Sequence, residues 1–281
     1  MRLTLDMANV QIKSNKLTPF GRIVQIIEPF YGVFAYLCPQ TEKQNYAPTQ
    51  LHSMNILIIG ATSGIGHALY SHYVSRGNNV AIMGRRKEIL DKLHAASPSN
   101  TFPLQTDISD TNSFNSAFVE ALKSLKVIDL AIVCAGIGEL NESLDIQQEL
   151  TTLSVNVIGW TNVVDTLYNY FEKNGSGHLV TVTSVGGWQP TPIAPSYSAS
   201  KAFQINYTKS LQAKARKSAV TITEIRPGLV DTRMAKGNGL FWVMPLDKVC
   251  NQITKAISHK KKLCVVTRRW RILNFLARHL M

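Results

Sequence analysis

Short apolar runs alternate with amphipathic segments from Met54 to about residue 267. The first run, "NILIIG" (Asn55 to Gly60), is apolar on successive residues, which is typical of a strand buried on both faces of a parallel sheet. A segment with helical spacing, His67 to Gly77, follows and ends at a glycine. The order strand, turn, helix then repeats along the chain.

Six further strands and five further helices are predicted from the same alternation. The strands are Asn79 to Gly84, Thr101 to Asp107, Ile128 to Gly136, Gly177 to Ser184, Val220 to Gly228 and Lys262 to Thr267. The helices are Lys87 to Ala96, Asp110 to Leu125 with Asp110 as N-cap, most of Leu144 to Phe171, Tyr197 to Lys217, and Asp247 to Ser258. Because crossover connections place helices on both faces of a parallel sheet, the fold class is α/β. We expect a single domain, residues 54–267, with a Rossmann-type doubly wound parallel sheet of about seven strands.

Residues 1–53 differ from the rest of the chain, with scattered Pro, Gln and Asn and no sustained hydrophobic period. We predict an N-terminal extension of unknown order. One interpretation is a partly ordered arm. The other is a dispensable leader, with Met54 as the working start, and the abrupt beginning of the repeating pattern at Met54 favours it.

The C-terminal segment, residues 268–281, is predicted to form a basic amphipathic helix. Its apolar face comprises Trp270, Ile272, Leu273, Leu276, Ala277 and Leu280, and its polar face comprises Arg271, Asn274 and Arg278. Such a helix is too short to span a bilayer, but it can lie in a membrane interface or dock on a partner. The alternative is that its apolar face covers the sheet edge or the substrate mouth of its own domain.

The formal net charge of +12 is concentrated in the tail, because seven of these twelve charges lie between Ser258 and Met281, where there is no acid. This distribution does not predict a nucleic-acid partner.

The four cysteines are scattered without zinc-site spacing, so no metal site is predicted and free thiols in a reducing compartment are expected. No apolar run approaches the roughly 20 residues that span a bilayer, and no secretory signal is recognised. We expect a cytoplasmic protein, with peripheral contact to a membrane as the alternative.

The first predicted strand leads into the glycine turn "GATSGIG", Gly60 to Gly66. In such a sheet, ligands bind beyond the carboxyl ends of the strands, and the first strand-to-helix turn is the usual place for a phosphate. Glycines allow positive φ and close approach to a pyrophosphate, and the helix N-terminus supplies N–H groups and partial positive charge. A plain tight turn gives the same letters, but the position between strand and helix favours dinucleotide binding. The residues assigned to the cofactor here are Gly60, Thr62, Ser63, Gly64, Ile65 and Gly66.

The end of the second predicted strand indicates which dinucleotide binds. A carboxylate at this position accepts hydrogen bonds from the ribose of NAD, whereas an arginine accommodates the 2′-phosphate of NADP. This chain has Arg85 and Arg86, and no acid until Glu88. The alternative is a solvated helix start, but cations are unfavourable at a helix N-terminus, which makes the two arginines more informative. We therefore expect NADP(H) in preference to NAD(H).

Taken together, these motifs resemble those of the short-chain dehydrogenase/reductase family. The matching positions, in the order and spacing of that family, are Gly60 to Gly66, Asp107, Asn156, Ser184, Tyr197 with Lys201, and "RPG" at Arg226 to Gly228. The resemblance covers about residues 54 to 267 and implies an NAD(P)-dependent oxidoreductase that acts on the CH–OH group of its donor through a Tyr-x-x-x-Lys active site. Dimers and tetramers are common in the family, which implies a homo-oligomer.

The resemblance also implies roles for single residues. Asp107 is expected to hold the adenine ring, and the neighbourhood of Asn156 to keep a water in a proton relay. Ala135 and Gly136 are expected to let the cofactor pass, and Lys201 to reach the nicotinamide ribose. The segment expected against the nicotinamide and its carboxamide comprises Pro227, Gly228, Val230 and Thr232.

Two positions depart from the family pattern. Where the family commonly has Asn-Asn-Ala-Gly after the fourth strand, this chain has Val133-Cys134-Ala135-Gly136, and the usual Thr before the first glycine is Ile59. The small Ala-Gly pair is kept, but the asparagine hydrogen bonds are lost. Both positions support the structure rather than the chemistry, so the expected effect is on stability.

The stretch "YSASK" contains a tyrosine and a lysine that share one helix face, because Tyr197 and Lys201 are four residues apart. An ammonium near a phenol favours the phenolate, so the pKa of Tyr197 is expected to fall toward the working pH. A proton donor of this kind serves a ketone, since hydride arriving at carbon leaves an alkoxide. Ser184 is expected to donate a hydrogen bond to the same oxygen. Singly, each residue is more typical of packing, solvation or a turn, but the combination favours catalysis.

The sequence therefore predicts an NADP(H)-dependent oxidoreductase of a carbonyl/alcohol pair, with Asn156, Ser184, Tyr197 and Lys201 as catalytic residues. The alternative is a catalytically silent dinucleotide-binding or membrane-surface scaffold protein of the same fold. The segment Arg233 to Lys248 is expected to complete the substrate pocket. Its apolar run Phe241, Trp242, Val243 and Met244 favours a lipophilic substrate if it lines that pocket, and packing of the segment itself is an equal alternative.

Overall fold

A computed structural model describes residues 53–232, 243–266 and Trp270 of the 281-residue chain. The predicted N-terminal extension lies outside these residues apart from Ser53. Residues 233–242 of the predicted pocket segment, which include Phe241 and Trp242, and the predicted tail helix apart from Trp270 also lie outside them. The predictions made for those segments stay predictions.

The centre of the described structure is one seven-stranded sheet in the order β3-β2-β1-β4-β5-β6-β7. The strands are β1 (Asn55–Ile59), β2 (Asn79–Gly84), β3 (Thr101–Gln105), β4 (Leu130–Val133), β5 (Gly177–Val182), β6 (Val220–Pro227) and β7 (Leu263–Val266). Every neighbouring pair is parallel. The first strand, β1, lies in the middle of the sheet. The following strands are added outward to β3, then the chain crosses back to place β4 beside β1, and the remaining strands are added outward to β7. The predicted α/β class and doubly wound sheet are confirmed.

Helices connect the strands, and most of them fall where the hydrophobic period predicts them. They are α1 (Gly64–Val74), α2 (Lys87–Ala96), α3 (Thr111–Leu125), α4 (Ile146–Leu153), α5 (Trp160–Lys173), α6 (Pro195–Lys214) and α7 (Leu246–Ser258). Asp110 caps α3 as predicted, because its side chain accepts from the backbone N–H groups of Asn112 and Ser113. Among the described helices, none is long and apolar enough to cross a membrane.

Several predicted boundaries are wrong at the carboxyl ends of the strands. The third and fourth strands were predicted to reach Asp107 and Gly136, but the ladders end at Gln105 and Val133. The residues beyond those points leave the sheet and form the loops of the site. At the other end, α1 begins at Gly64 rather than at His67, since apolar spacing does not register the glycines of its first turn.

The helix predicted for most of Leu144 to Phe171 is divided into three parts. A wider π-helical segment, Ser154–Gly159, joins α4 to α5. A Cβ on Gly159 would lie 2.2 Å from the backbone oxygen of Ile108, so only glycine lets this segment approach the loop after β3 so closely. The hydrophobic period of an α-helix cannot reveal a π segment of one turn.

Two hydrophobic layers cover the sheet, one on each face. On one face α3, α5 and α6 pack against the strands through residues such as Phe114, Trp160 and Leu211. On the other face α1, α2 and α7 contribute Leu69, Leu90 and Ile253. The strands are therefore buried on both faces, as the continuous apolar run of β1 predicts. The direction of winding reverses between β1 and β4, and this switch point lies at the carboxyl edge where the functional residues collect.

Candidate active site

The glycine turn between β1 and α1 lies directly against the end of β4. Gly60 has a φ of +90°, and a Cβ on it would lie 2.6 Å from the backbone nitrogen of Ala135. A Cβ on Gly66 would lie 2.2 Å from the backbone oxygen of Gly60. Glycine is therefore required at both positions, and it leaves the backbone of the turn accessible to a pyrophosphate.

The N-terminus of α1 is suited to an anion. Ser63 is its N-cap, but the Ser63 side chain makes no capping hydrogen bond, and the first turn contains no acid. The N–H groups at a helix start carry partial positive charge and bind phosphate when side chains do not cap them. Ile65 packs against the core beneath the turn. The turn therefore fits the dinucleotide that the sequence predicts.

Two guanidinium groups lie at the end of β2, next to the glycine turn. Arg86 donates to the Thr62 hydroxyl from Nε at 3.2 Å and from Nη2 at 2.8 Å. Arg85 is exposed, and its Nη1 lies 3.8 Å from Oδ2 of Asp107. Burial raises the pKa of Asp107, but hydrogen bonds from Ser109 and the Arg85 guanidinium outweigh it, so this pKa is below its usual value. The turn and both arginines thus form one basic corner.

Asn156 fastens the loop after β4 to α6. It is fully buried; its Oδ1 accepts from the N–H of Ile137 at 2.9 Å, and its Nδ2 donates to the Ile137 oxygen at 2.7 Å and to the Ser200 hydroxyl at 3.0 Å. A Cβ on Gly136 would lie 3.2 Å from Asn156 Oδ1 and 3.3 Å from Lys201 Nζ. Gly136 therefore brings the predicted cofactor path next to Lys201, while the relay role of Asn156 stays a prediction.

Ser184 and Tyr197 meet at the end of β5. Ser184 follows the strand; its Oγ accepts from the N–H of Gly186 at 3.0 Å, and its side chain hydrogen-bonds with the Tyr197 phenol. The phenol ring lies between two glycines. A Cβ on Gly138 would lie 2.6 Å from Tyr197 Cδ2, and one on Gly186 would lie 3.2 Å from Cε1. Small residues on both sides therefore fix the plane of the ring.

Lys201 is buried one turn further along α6. Its Nζ lies 5.9 Å from the centre of the Tyr197 ring and donates to Oε1 of Gln204 at 2.9 Å. Burial lowers the pKa of Lys201 to about 8, and its interaction with Cys134 opposes that shift. The ammonium thus titrates much closer to neutrality than a solvated lysine does.

The predicted fall in the pKa of Tyr197 is contradicted by the structure. Burial of the phenol raises its pKa, and the hydrogen bond from Ser184 only partly offsets this rise. The charge of Lys201 can be read from the sequence, but desolvation of the phenol depends on packing by residues far away in the chain. In this structure Tyr197 is therefore a protonated, neutral phenol at neutral pH.

The segment after β6 is held at its start by β7 and by Trp270. Pro227 is the last residue of β6, and the N–H of Gly228 donates to the oxygen of Val266 at 2.8 Å. A Cβ on Gly228 would lie 2.1 Å from Nε1 of Trp270, so the indole lies directly on this glycine. For Trp270, this contact favours the interpretation in which the tail covers its own domain.

The same segment then runs toward the glycine turn. Val230 pairs with Met244 in a short parallel bridge. A Cβ on Gly64 would lie 3.3 Å from Cγ2 of Thr232, so Thr232 lies over the first turn of α1. The residues expected against the nicotinamide therefore lie at the same edge as the glycine turn Gly60 to Gly66.

Three residues of the site were missed by the sequence reasoning. Gly138 and Gly186 clamp the Tyr197 ring, and Gln204 binds the Lys201 ammonium. Gln204 follows Lys201 by three residues, a spacing that places both on one helix face, and this was a usable signal. The two glycines gave none, because their contact with the ring depends on tertiary structure.

The model of the short chain dehydrogenase family matches residues 54–240, about two thirds of the chain. The chain belongs to this family. Its members are oxidoreductases, and the protein is accordingly an oxidoreductase of the NAD(P)-dependent dehydrogenase/reductase type.

Individual proteins agree with this assignment. An oxidoreductase of Staphylococcus epidermidis is 27% identical over 183 residues, which is 64% of this chain and 80% of the relative. A short-chain dehydrogenase from Sphingobium yanoikuyae, solved in complex with NADPH, has a TM-score of 0.70 at 22% identity and covers 81% of this chain and 95% of its own. One from Burkholderia phymatum, solved with NAD, has a TM-score of 0.71 at 20% identity, with 82% and 94% covered. These two structures share the fold, and both NADPH and NAD occur among such proteins.

Proposed function

We propose that this protein is an NADP(H)-dependent oxidoreductase that transfers hydride between the nicotinamide and a lipophilic carbonyl/alcohol pair. The observation that carries the proposal is the cluster of Ser184, Tyr197 and Lys201 at the carboxyl edge of the sheet. The Ser184 side chain hydrogen-bonds with the phenol, and the ammonium lies 5.9 Å from the ring centre. The cluster lies beside Gly136, one of the two small residues that are expected to let the cofactor pass.

The cluster supports proton transfer to a carbonyl oxygen. The nicotinamide supplies the hydride when it is bound. As the carbonyl carbon accepts that hydride, negative charge develops on its oxygen, and the neutral phenol of Tyr197 donates a proton to it. The Ser184 hydroxyl stabilises the developing charge by a hydrogen bond. The Lys201 ammonium favours the phenolate that remains, so it stabilises Tyr197 after the proton has left.

The basic corner supports the preference for NADP(H). Arg85 is exposed beside the glycine turn, and Arg86 is held against Thr62. A 2′-phosphate at this position gains charge-assisted hydrogen bonds from a guanidinium, whereas a ribose hydroxyl gains little. The pair between Arg85 and Asp107 is long, at 3.8 Å, and largely exposed, so it competes weakly with a phosphate.

Exposed apolar side chains near the site support a lipophilic substrate. Leu140 and Ile193 are 45% and 40% exposed, and a hydrogen bond of 2.8 Å between Asn141 N–H and the Ile193 oxygen brings their two loops together. Val243, which lies in the segment between β6 and α7, is 38% exposed. Apolar side chains around a pocket mouth favour substrates with apolar surface to bury.

The assay is the loss of NADPH absorbance with aldehydes, ketones and quinones of increasing apolar chain length. Tyr197→Phe removes the proton donor and keeps the ring between its two glycines. We expect kcat to fall by roughly 10²-fold or more, with the affinity for NADPH, measured by fluorescence titration, unchanged. Tyr207→Phe makes the same change on α6, where the hydroxyl donates to Asp165, and is the control. A Tyr197→Phe protein with wild-type turnover would exclude this mechanism.

A catalytically silent scaffold is the second candidate. It requires that the chemistry be lost while the nucleotide site is kept. Ser184, Tyr197 and Lys201 are all present and adjacent, which favours the enzyme. Binding of NADPH without turnover of any substrate in the panel would support the scaffold instead.

A further inference from the structure

Gln204 bridges the active-site lysine and the π-helical segment. Its side chain is fully buried on α6, one turn after Lys201. Its Oε1 accepts from Lys201 Nζ at 2.9 Å, and its Nε2 donates to the backbone oxygen of Asn156 at 2.8 Å. The oxygen and the nitrogen of one side-chain amide thus each make a hydrogen bond to a predicted catalytic residue.

The orientation of this amide is fixed by chemistry. An ammonium can only donate hydrogen bonds, and a backbone carbonyl can only accept them. If the amide were turned over, its NH₂ would face Nζ and its oxygen would face the Asn156 oxygen, and both hydrogen bonds would be lost. Because the site is buried, such unpaired groups are costly. Gln204 therefore presents its carbonyl oxygen, an acceptor, to the charged form of Lys201.

The other groups that face Lys201 do not compensate its charge near neutral pH. Tyr197 is neutral, since burial raises its pKa, and burial raises the pKa of the Cys134 thiol to about 12. The π-helical segment Ser154–Gly159 and the turn Val185–Gly187, which also pack against α6, contain no titratable side chain. The elements α4 and β6 pack against α6 as well, but Glu149 of α4 is hydrogen-bonded to Asn141 and Ser196, and Glu224 of β6 is paired with Arg226. A hydrogen bond from the charged form to the amide oxygen therefore favours the ammonium against burial, in addition to the interaction of Lys201 with Cys134.

We propose that Gln204 is a positioning residue that keeps Lys201 charged and holds its Nζ beside the Tyr197 ring and Gly136. It acts through Lys201 and touches neither substrate nor cofactor. A second bridge runs parallel to it: Asn156 Nδ2 donates to the Ser200 hydroxyl, and that hydroxyl donates to the backbone carbonyl oxygen of Tyr197. The π-helical segment thereby positions both active-site residues of α6. This inference rests on the proposed function for its catalytic consequence only.

The test is the pH profile of kcat/KM for two variants of similar shape. Gln204→Met removes the acceptor, so the pKa of Lys201 should fall further below about 8 and the alkaline limb should move to lower pH. Gln204→Glu places a carboxylate beside the ammonium, so the limb should move to higher pH. We expect each displacement to be about one pH unit. A residue that only fills space would give limbs that stay in place or move in the same direction, and either result would overturn the proposal.

The control for these variants is Gln212→Met. Gln212 lies on the same helix, and its amide donates to the oxygen of Lys262 at 2.6 Å, far along α6 from Lys201. This variant also loses an amide hydrogen bond of α6, but its pH profile should match that of the wild type. A displaced limb in Gln212→Met would show that the shifts do not report on Lys201.

A readout without turnover separates this inference from the proposed function. If no substrate is reduced, the proposed function fails. The Gln204 variants are then compared with the wild type by the pH dependence of their free energy of unfolding. The rise that begins at the folded pKa of Lys201 should begin at lower pH in Gln204→Met and at higher pH in Gln204→Glu. Gln204→Met, which adds no titratable group, should not alter the pH dependence when Lys201 is already Met. Identical onset in all variants would contradict the assigned role.

Discussion

At the scale of single residues, burial and hydrogen bonding act in opposite directions on Tyr197 and Lys201. Burial favours the neutral form of both, which raises the pKa of the phenol and lowers that of the ammonium to about 8. Ser184 and Gln204 each favour the charged form. The balance leaves a protonated phenol near an ammonium that is still charged at neutral pH. This is the pair of protonation states that reduction of a carbonyl requires.

Arg85 tests the cofactor preference at the same scale. Arg85→Asp removes a guanidinium from the basic corner and places a carboxylate where a ribose hydroxyl can donate to it. Loss of a charge-assisted hydrogen bond costs about 1.5–3 kcal/mol, which corresponds to roughly tenfold to hundredfold in affinity. We therefore expect the ratio of kcat/KM for NADPH to that for NADH to fall by about tenfold or more.

The matched control for Arg85→Asp is Lys87→Asp. Lys87 carries the same charge two residues away, but its Nζ is paired with Asp91 on the exposed face of α2. The same change of charge there should leave the cofactor ratio unaltered. If both variants changed the ratio equally, the overall electrostatic potential of the domain, rather than a contact from Arg85, would set the cofactor preference.

At the scale of secondary-structure elements, α4 supplies the cap that α6 lacks. Ala194 is the N-cap of α6 and has no side chain that can cap it. Glu149 of α4 accepts instead from the N–H of Ser196 at 2.9 Å, and its other oxygen accepts from Asn141 at 2.7 Å. A carboxylate at a helix N-terminus is favoured by the helix dipole. The first turn of α6, which carries Tyr197, is therefore fixed by another helix.

Glu149→Ala should loosen that turn and misplace the phenol. We expect kcat to fall by about tenfold, since small misplacements of reacting groups cost 10²-fold or less, while the affinity for NADPH stays unchanged. Glu149→Gln keeps an acceptor for Ser196 and should recover most of the activity. Glu142→Ala, at an exposed acid of the same connection, is the control. A Glu149→Ala enzyme with the kcat of the wild type would show that α6 holds Tyr197 without this cap.

The contrast between α6 and β1 shows what the sequence alone could predict. The run from Asn55 to Ile59 predicts a buried strand because each residue's neighbours in sequence carry the signal. The cap from Glu149 joins residues 47 apart, and the link between Gln204 and Asn156 joins residues 48 apart. No local pattern encodes these distances. The motif residues could therefore be predicted, while their burial and the long-range contacts that hold them could not.

At the scale of the whole molecule, the described interior contains charges of two kinds. Arg226 and Glu224 are 1% exposed and form a pair at 2.6 Å, and the carboxylate also accepts from the Thr183 hydroxyl. Lys201 has only a neutral amide as its hydrogen-bond acceptor. A buried charge of the second kind lowers the stability of the entire fold until it is neutralised. Activity and stability therefore make opposite demands on Lys201.

This opposition predicts how stability varies with pH. The pKa of Lys201 is about 8 in the folded protein and 10.5 as a solvated lysine. Between these two values the unfolded chain binds more protons than the folded one, so the free energy of unfolding should rise with pH. The contribution of this one group is at most about 1.4 kcal/mol per pH unit. Below pH 8 both states are protonated, and the destabilisation by the buried charge is fully present.

Lys201→Met isolates that contribution, because cysteines and tyrosines also titrate in this range. Urea denaturation at a series of pH values gives the free energy of unfolding of each protein, and the difference between wild type and variant removes what they share. We expect the wild type to gain stability relative to Lys201→Met as the pH rises above 8. Lys209→Met, at an exposed position of α6, should run parallel to the wild type. Parallel curves for Lys201→Met as well would mean that the lysine is not buried as a charge, and the tuning of the active site described above would lose its physical basis.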